Sequence, residues 1–104
     1  MICPCGSDKK YKKCCYLFHK GKAKPKTALE LMKSRYSAYA KGEVKYIIKT
    51  TAKEYQKELN ENEIKLFCQS NFKKLEIIDF NENMVEFKAY INEYKSSLAK
   101  LFES

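Results

Sequence analysis

Several residue types are scarce in this sequence of 104 residues, which has no tryptophan, three glycines, two prolines, one histidine and one arginine. Three glycines are too few for a glycine-rich phosphate-binding loop. Because the chain has a single histidine, any Cys–His or Ser–His–Asp catalytic arrangement would have to use that residue. No apolar run approaches the roughly 18 residues of a membrane span. The N-terminus lacks the basic and apolar regions of a secretory signal. We therefore expect a cytoplasmic protein without a membrane span.

Acidic residues are almost missing from the first quarter of the chain. Residues 1–26 hold eight lysines and one acid, Asp8, so this segment carries +7 of the formal net charge of +8. Residues 27–104 are nearly neutral, at +1. A concentrated positive charge favours an acidic partner, either a protein surface or the phosphates of RNA and the ribosome. The predicted basic docking surface consists of Lys9, Lys10, Lys12, Lys13, Lys20, Lys22, Lys24 and Lys26.

Four of the five cysteines lie in the same basic segment. They form the pattern Cys3-x-Cys5, followed after eight residues by Cys14-Cys15. In a reducing compartment, clustered cysteines favour metal binding over disulfides. Four thiolates are the usual ligand set of a structural zinc ion. The spacing predicts one structural zinc held by these four cysteines. Free thiols in a flexible tail, an oxidised pair and an iron–sulfur cluster are the alternatives.

The single histidine, His19, lies four residues after Cys15. It is an alternative metal ligand in place of Cys15, because Cys-x₃-His is a permitted zinc spacing. Four cysteines already complete a tetrahedron, so a histidine at the surface or beside the site is the favoured interpretation. A site closed by four protein ligands has no open position for chemistry. We therefore predict no catalytic residue.

The stretch Cys-Pro-Cys-Gly-Ser-Asp-Lys-Lys-Tyr-Lys-Lys-Cys-Cys, residues 3–15, resembles the SEC-C motif. That motif occurs at the C-terminus of the SecA translocation ATPase and in many small bacterial proteins. The resemblance implies that the four cysteines of the stretch bind zinc and that the module docks on proteins or on the ribosome. Asp8 stands where the family usually has glycine.

The rest of the chain shows helical spacing first and strand spacing afterwards. Thr27 and Glu30 form a predicted capping box, and Gly42 suits the end of that helix. The predicted elements are helices at 27–42 and 43–50, a helix opened by a capping box of Thr51 and Glu54, a helix capped by Asn60, and strands at 73–80, 85–92 and 98–102. Helices followed by antiparallel strands indicate an α+β fold.

The cysteine module followed by residues 25–39, which include Leu-Met-Lys-Ser-Arg-Tyr-Ser-Ala-Tyr at 31–39, and then by Tyr-Ile-Ile-Lys-Thr at 46–50 resembles the bacterial YchJ family. This resemblance implies a core similar to nuclear transport factor 2, with helices packed on a curved antiparallel sheet around a cone-shaped cavity. Family members usually continue past the last predicted strand into another one, so we expect a domain shortened at its C-terminal end. An uncovered sheet edge invites pairing, and we predict a homodimer through that edge.

Three domain segments follow from these patterns. Residues 1–19 are the predicted SEC-C-like zinc knuckle, 20–26 a basic linker, and 27–104 an α+β domain similar to nuclear transport factor 2.

The first long helix carries the candidate site of the body. Arg35 is the only arginine, and its planar fork suits a carboxylate or phosphate better than lysine does. It is a candidate cavity anchor together with Tyr36 and Tyr39. The favoured alternatives are an ion pair of Arg35 with Asp79 or Glu86, and two tyrosines that belong to the core.

Two functions of different classes remain. The first is a non-enzymatic zinc-binding adaptor whose basic knuckle contacts an acidic protein surface or the ribosome and RNA. The second is small-molecule binding or catalysis in the cavity of the α+β domain, which depends on analogy of fold alone.

Overall fold

The computed structural model describes residues 1–92 of the chain. A 3-10 helix at Tyr11–Lys13 precedes five α-helices and two strands. These elements are α1 (Cys15–His19), α2 (Ala28–Lys41), α3 (Val44–Lys49), α4 (Lys53–Gln56), α5 (Glu61–Phe67), β1 (Asn71–Phe80) and β2 (Val85–Asn92). This order confirms the predicted α+β class. The strand predicted at 98–102 lies outside the described residues.

Helix α2 begins and ends as the sequence predicts. The Thr27 side chain accepts a hydrogen bond from the backbone N–H of Glu30 at 3.1 Å. The Glu30 carboxylate accepts one from the N–H of Lys26 at 2.7 Å, one residue before the cap. Gly42 ends the helix at φ 73°, a conformation that glycine adopts without a steric penalty.

The second predicted capping box is wrong. Helix α4 is preceded by Ala52, whose side chain makes no capping hydrogen bond. The Thr51 hydroxyl instead donates to the carbonyl of Ile47 at 2.8 Å. Thr51 follows α3 so closely that its side chain bonds back to that helix, as serine and threonine often do. The cap predicted at Asn60 is confirmed, because its Oδ1 accepts from the N–H groups of Asn62 and Glu63.

Strands β1 and β2 form an antiparallel pair with two irregularities. Half-buried and exposed residues alternate along β2. In β1 the register passes from Ile77 opposite Phe87 to Asp79 opposite Glu86, which leaves Ile78 as an extra, half-exposed residue. Neighbouring residues of a regular strand point to opposite faces, and an extra residue disturbs this alternation locally. Ile77 is half-buried in this strand, whereas Ile78 is exposed.

The described chain has two buried clusters, and α2 lies between them. The larger cluster contains Ala38, Tyr39, Tyr46, Ile47, Ile64 and Phe67, and the smaller contains Cys3, Cys5, Tyr11 and Cys15. The side chains of Ser34, Ser37 and Ala38 on α2 are all 0% exposed. Small side chains allow close approach, so the N-terminal segment packs directly against this helix.

No helix within residues 1–92 is long and apolar enough to cross a membrane. This agrees with the absence of long apolar runs in the sequence.

Candidate metal centre

The first fourteen residues fold back on themselves and bring the two cysteine pairs together. Ile2 and Lys10 form an antiparallel bridge. The backbone N–H of Cys3 donates to the carbonyl of Lys9 at 2.8 Å. The first cysteine pair therefore lies beside the second pair, which stands at the start of α1.

Two left-handed residues make this tight return of the chain. Gly6 has φ 87° and Asp8 has φ 65°. The N–H of Gly6 donates to the carbonyl of Cys3 at 3.3 Å, which closes the turn around the first ligand pair. Aspartate tolerates this region better than most residues, although glycine enters it without cost. The structure thus gives a physical reason for the glycine that SEC-C motifs usually have at the position of Asp8.

The four sulfur atoms form one cluster. The Sγ atoms of Cys3, Cys5, Cys14 and Cys15 all lie within 4.8 Å of one another, and all four residues are free thiols. Those of Cys5 and Cys14 are 3.6 Å apart. A tetrahedral zinc with bonds of about 2.3 Å needs sulfur–sulfur separations of about 3.8 Å. The cluster therefore fits a four-coordinate metal ion closely.

The electrostatics of the cluster also favour a cation. Hydrogen bonding to the Cys15 thiol lowers the pKa of Cys5 to about 4. The same hydrogen bond, followed by burial, raises the pKa of Cys15 strongly. Thiols this close to one another cannot all ionise alone, because each thiolate repels the next. A divalent cation at the centre would remove that repulsion.

Serine side chains support the cluster, and the sequence analysis missed them. The Ser7 hydroxyl lies 3.2 Å from the Sγ of Cys14. The Ser37 hydroxyl lies 3.5 Å from the Sγ of Cys3. Polar partners of this type orient metal ligands and tune their basicity. The position of Ser7 inside the Cys-Gly-Ser stretch is a sequence signal for its role, whereas Ser37 lies 34 residues from Cys3 and gives none.

His19 lies outside the sulfur cluster and joins the knuckle to α2. Its Nε2 donates to the carbonyl oxygen of Ser34 at 2.8 Å. Its Nδ1 accepts from the hydroxyl of Tyr11 at 2.6 Å. Both ring nitrogens are therefore engaged, and burial lowers the pKa of the imidazole. The structure places this side chain beside the site, in a bridging position, rather than among the clustered ligand atoms.

The eight lysines of the predicted basic docking surface are all exposed. Lys9 and Lys13 also line a cleft of about 270 Å³ beside Cys5, Cys14 and Cys15. Lys20 forms an ion pair with Glu43 at 3.5 Å. The positive charge of the segment thus faces solvent, and part of it lies beside the cysteine cluster.

Arg35 binds α3 in this structure. Its Nη1 donates to the carbonyl of Ile47 at 3.0 Å and to the hydroxyl of Thr50 at 2.6 Å. The ion pair predicted with Asp79 or Glu86 is not formed in residues 1–92, because the guanidinium closes the C-terminal end of α3 instead. Cations there stabilise the exposed carbonyls of a helix.

Tyr36 and Tyr39 lie in the body core. Tyr36 is 0% and Tyr39 6% exposed. Both rings contact Phe72 on β1, and Tyr39 also contacts Phe67. Burial raises the pKa of Tyr39, and the neighbouring Arg35 guanidinium opposes that rise. Arg35 and Tyr39 are therefore neighbours, and the role of Arg35, Tyr36 and Tyr39 as a cavity anchor stays a prediction. A cleft of about 540 Å³ lies elsewhere and is lined by Thr27, Leu29, Glu30, Phe80, Asn81 and Glu82.

Cys68 is separate from the four clustered thiols. It packs against the body core, and burial raises its pKa to about 11. Its environment is that of a small apolar residue.

These features define a class of protein in which a four-cysteine cluster, compatible with metal binding, packs on an α+β domain. The SEC-C motif family matches residues 2–17, and the middle NTF2-like domain of YchJ matches residues 27–104. The chain belongs to the YchJ family.

Curated relatives and solved structures show the same relationship. The chain is 39% identical over 97 residues to the UPF0225 protein VP1145 of Vibrio parahaemolyticus, covering 88% of this chain and 58% of the relative. It is 35% identical over 103 residues to the UPF0225 protein NTHI0386 of Haemophilus influenzae, covering 93% and 64%. The chain thus spans about three fifths of the length of these relatives.

Two solved SEC-C motif containing proteins share the fold. The solution structure of RPA3114 from Rhodopseudomonas palustris superposes with a TM-score of 0.80 at 30% identity, over 92% of this chain and 79% of that one. The crystal structure of a protein from Psychrobacter arcticus superposes with a TM-score of 0.78 at 29% identity, over 88% and 63%.

Proposed function

We propose that this chain is a non-enzymatic zinc-binding adaptor. In this proposal one structural zinc holds the knuckle, residues 1–19, in the shape that an acidic protein surface or the ribosome and its RNA binds. The observation that carries the proposal is the buried cluster of four sulfur atoms within 4.8 Å of one another, set in a segment of charge +7. The metal, the partner and the domain boundaries are all parts of this proposal.

The donor set supports zinc as the metal. Soft thiolate ligands favour zinc over hard cations such as magnesium or calcium. Three of the four ligands are 1–3% exposed, and the fourth, Cys14, is half-buried beside the cleft that Lys9 and Lys13 line. When bound, zinc would supply a fixed tetrahedral cross-link and the charge that keeps four thiolates together.

The docking surface depends on the metal in this proposal. Four lysines, Lys9, Lys10, Lys12 and Lys13, lie in the loop between the two ligand pairs. The knuckle has a small buried cluster made mostly of the cysteines themselves. Small modules of this kind fold around their metal, so metal loss releases the loop and disperses its lysines. With four thiolates and zinc, a net charge of about +5 remains on residues 1–26.

Small-molecule binding in the body stays a prediction from fold analogy. Arg35 closes α3, and the two predicted tyrosines lie in the core. These contacts give the body residues a structural role in the described part of the chain.

The test compares metal content and captured partners in bacterial lysate. The variants are Cys14→Ser/Cys15→Ser, which removes two ligands, and Lys12→Glu/Lys13→Glu, which inverts charge and keeps the ligands. Cys68→Ser is the matched control, because its thiol lies outside the cluster. We expect about one zinc per chain in every protein except the ligand variant. We also expect both test variants to lose the same partners and the control to keep them.

Two results would contradict the proposal. A wild-type protein that is folded but contains no zinc would show that the four cysteines do not form a structural zinc site. Identical partner lists for wild type and the ligand variant would show that the knuckle is not the docking surface.

A further inference from the structure

A second cleft beside the knuckle carries no cysteine ligand and is built from tyrosine and lysine. It has a volume of about 330 Å³ and is lined by Met1, Lys10, Tyr11, Lys12, Tyr16 and Lys41. We call it the tyrosine cleft. The rings of Tyr11 and Tyr16 meet edge to face, with centroids 5.7 Å apart. Tyr11 is 8% exposed and forms the floor, whereas Tyr16 is half-buried and presents part of its ring.

Lysines from separate parts of the chain converge on these two rings. The Nζ of Lys41, at the end of α2, lies 4.7 Å from the centre of the Tyr11 ring. The Nζ atoms of Lys20 and Lys22 lie 5.8 and 5.9 Å from the centre of the Tyr16 ring. No carboxylate of residues 1–92 lines the tyrosine cleft. Lys20 forms an ion pair with Glu43. Within residues 1–92, the other lysines around the two rings form no ion pair with an acidic side chain.

Lysines around exposed aromatic rings are the arrangement that binds single-stranded nucleic acid in many proteins. An unpaired nucleobase stacks on an aromatic ring, and its flanking phosphates bind neighbouring lysines. The walls of the cleft are mostly apolar, and its volume suits a single base. We infer that the tyrosine cleft binds single-stranded nucleic acid, with one base against Tyr16 and phosphates on the lysines that line it, Lys10, Lys12 and Lys41. This inference rests on the proposed function, because it names the partner class of the same basic surface.

The observations favour a single strand over the other acidic partners. A peptide of acidic residues offers carboxylates to the lysines but no aromatic ring to stack on the tyrosine floor. A regular duplex keeps its bases stacked inside, so it reaches the lysines alone. Only an unpaired nucleotide uses the ring and the cations together.

The test measures binding of a fluorescent twelve-nucleotide oligouridine by anisotropy, from low salt upward. Tyr16→Leu removes the ring, and we expect its affinity to fall about tenfold or more. Tyr16→Phe keeps the ring, and we expect its affinity to stay within about twofold of wild type. Lys41→Gln removes one phosphate contact, so affinity falls and its dependence on salt becomes shallower. Lys57→Gln, an exposed lysine beside α4, is the matched control.

Zinc content and thermal melting accompany each variant, since Tyr16 is the residue after Cys15. Because Tyr16→Phe rescues the ring without its hydroxyl, it separates stacking from damage to the fold. A duplex of equal length and a polyglutamate peptide serve as unlabelled competitors.

Three results would overturn the inference. The first is Tyr16→Leu protein of normal zinc content that binds oligouridine as wild type does. The second is competition by polyglutamate as strong as that by unlabelled oligouridine, which leaves the proposed adaptor function standing with an acidic protein as partner. The third is wild-type protein that shows no binding of oligouridine at low salt.

Discussion

At the scale of single residues, Asp8 adopts the left-handed conformation at φ 65°. For most L-residues this region costs roughly 1–2 kcal/mol, and for asparagine and aspartate less. We therefore predict that Asp8→Val lowers the free energy of unfolding by about 1–2 kcal/mol, whereas Asp8→Gly keeps or raises it. Urea unfolding with zinc present measures both changes.

Asp8→Asn is the control for charge in that experiment. Asparagine enters the left-handed region as readily as aspartate but removes the only acid of residues 1–26. If Asp8→Asn loses as much stability as Asp8→Val, the carboxylate rather than the backbone conformation is what matters at this position.

His19 makes the stability of the chain depend on pH. Burial lowers its pKa below the ordinary value of 6.5, and its ring bridges Tyr11 and Ser34 in the neutral form. The unfolded chain binds a proton at the ordinary pKa, and the folded chain binds it only at lower pH. The free energy of unfolding contributed by His19 is thus fully present above about pH 6.5 and is lost as the pH falls below it.

The comparison protein for this prediction is His19→Gln, which has hydrogen-bonding groups and does not titrate. Zinc thiolates also protonate in acid, and this loss is common to both proteins. We predict that chemical unfolding shows a smaller loss of stability between pH 7 and pH 5 in the variant than in wild type. Equal losses in the two proteins would show that His19 does not contribute.

At the scale of secondary structure, α2 is the element on which the knuckle rests. Cys3 contacts the Ser37 hydroxyl, and the Cys15 thiol donates to the carbonyl of Lys33 at 3.8 Å. Ser34, Ser37 and Ala38 give this face of the helix its close approach to its neighbours. The cysteine cluster is therefore supported by an element of the α+β domain.

A larger side chain at Ser37 tests this support. We predict that Ser37→Leu lowers the free energy of unfolding by about 1–3 kcal/mol, since extra volume in a packed interface forces neighbouring groups apart. Zinc affinity, measured by competition with a chelator, should fall with it. Ser37→Ala keeps the small volume and loses only the hydroxyl, so it should change both quantities less. Unchanged zinc affinity in Ser37→Leu would show that α2 does not support the metal centre.

Sequence patterns predicted the helices and strands of this chain better than the side-chain contacts between them. Capping residues mark α2 and α5 because a cap is a local hydrogen bond between neighbours in the chain. Thr51 misled the same argument, since its hydroxyl bonds to Ile47 on the preceding helix. The four clustered cysteines follow from their spacing. The roles of Ser37 and Arg35 depend on packing between distant segments, which no local spacing encodes.

At the scale of the whole molecule, the basic part of the chain and the nearly neutral part each have their own buried cluster. The positive excess belongs to residues 1–26, whose buried cluster consists of cysteines and one tyrosine. The nearly neutral remainder supplies the larger apolar cluster. The basic segment thus packs through its cysteine cluster against α2, and its lysines are exposed to solvent.

The sheet gives the last prediction, the homodimer. Four large apolar side chains on β1, β2 and the turn between them are exposed, namely Ile78 at 51%, Phe80 at 55%, Met84 at 44% and Tyr90 at 39%. Strand edges and apolar surface of this kind favour pairing with a second copy. We predict a dimer in size-exclusion chromatography with light scattering at high protein concentration.

Phe80→Lys tests where the dimer forms, because a charge on β1 opposes burial of that strand against a second copy. Its matched control is Tyr55→Lys, since Tyr55 is 56% exposed on α4, away from the sheet. We expect the first variant to shift the protein toward monomer and the second to leave the dimer intact. A wild-type protein that stays a clean monomer at high concentration would contradict the dimer. Equal effects of the two substitutions would place the contact outside the sheet.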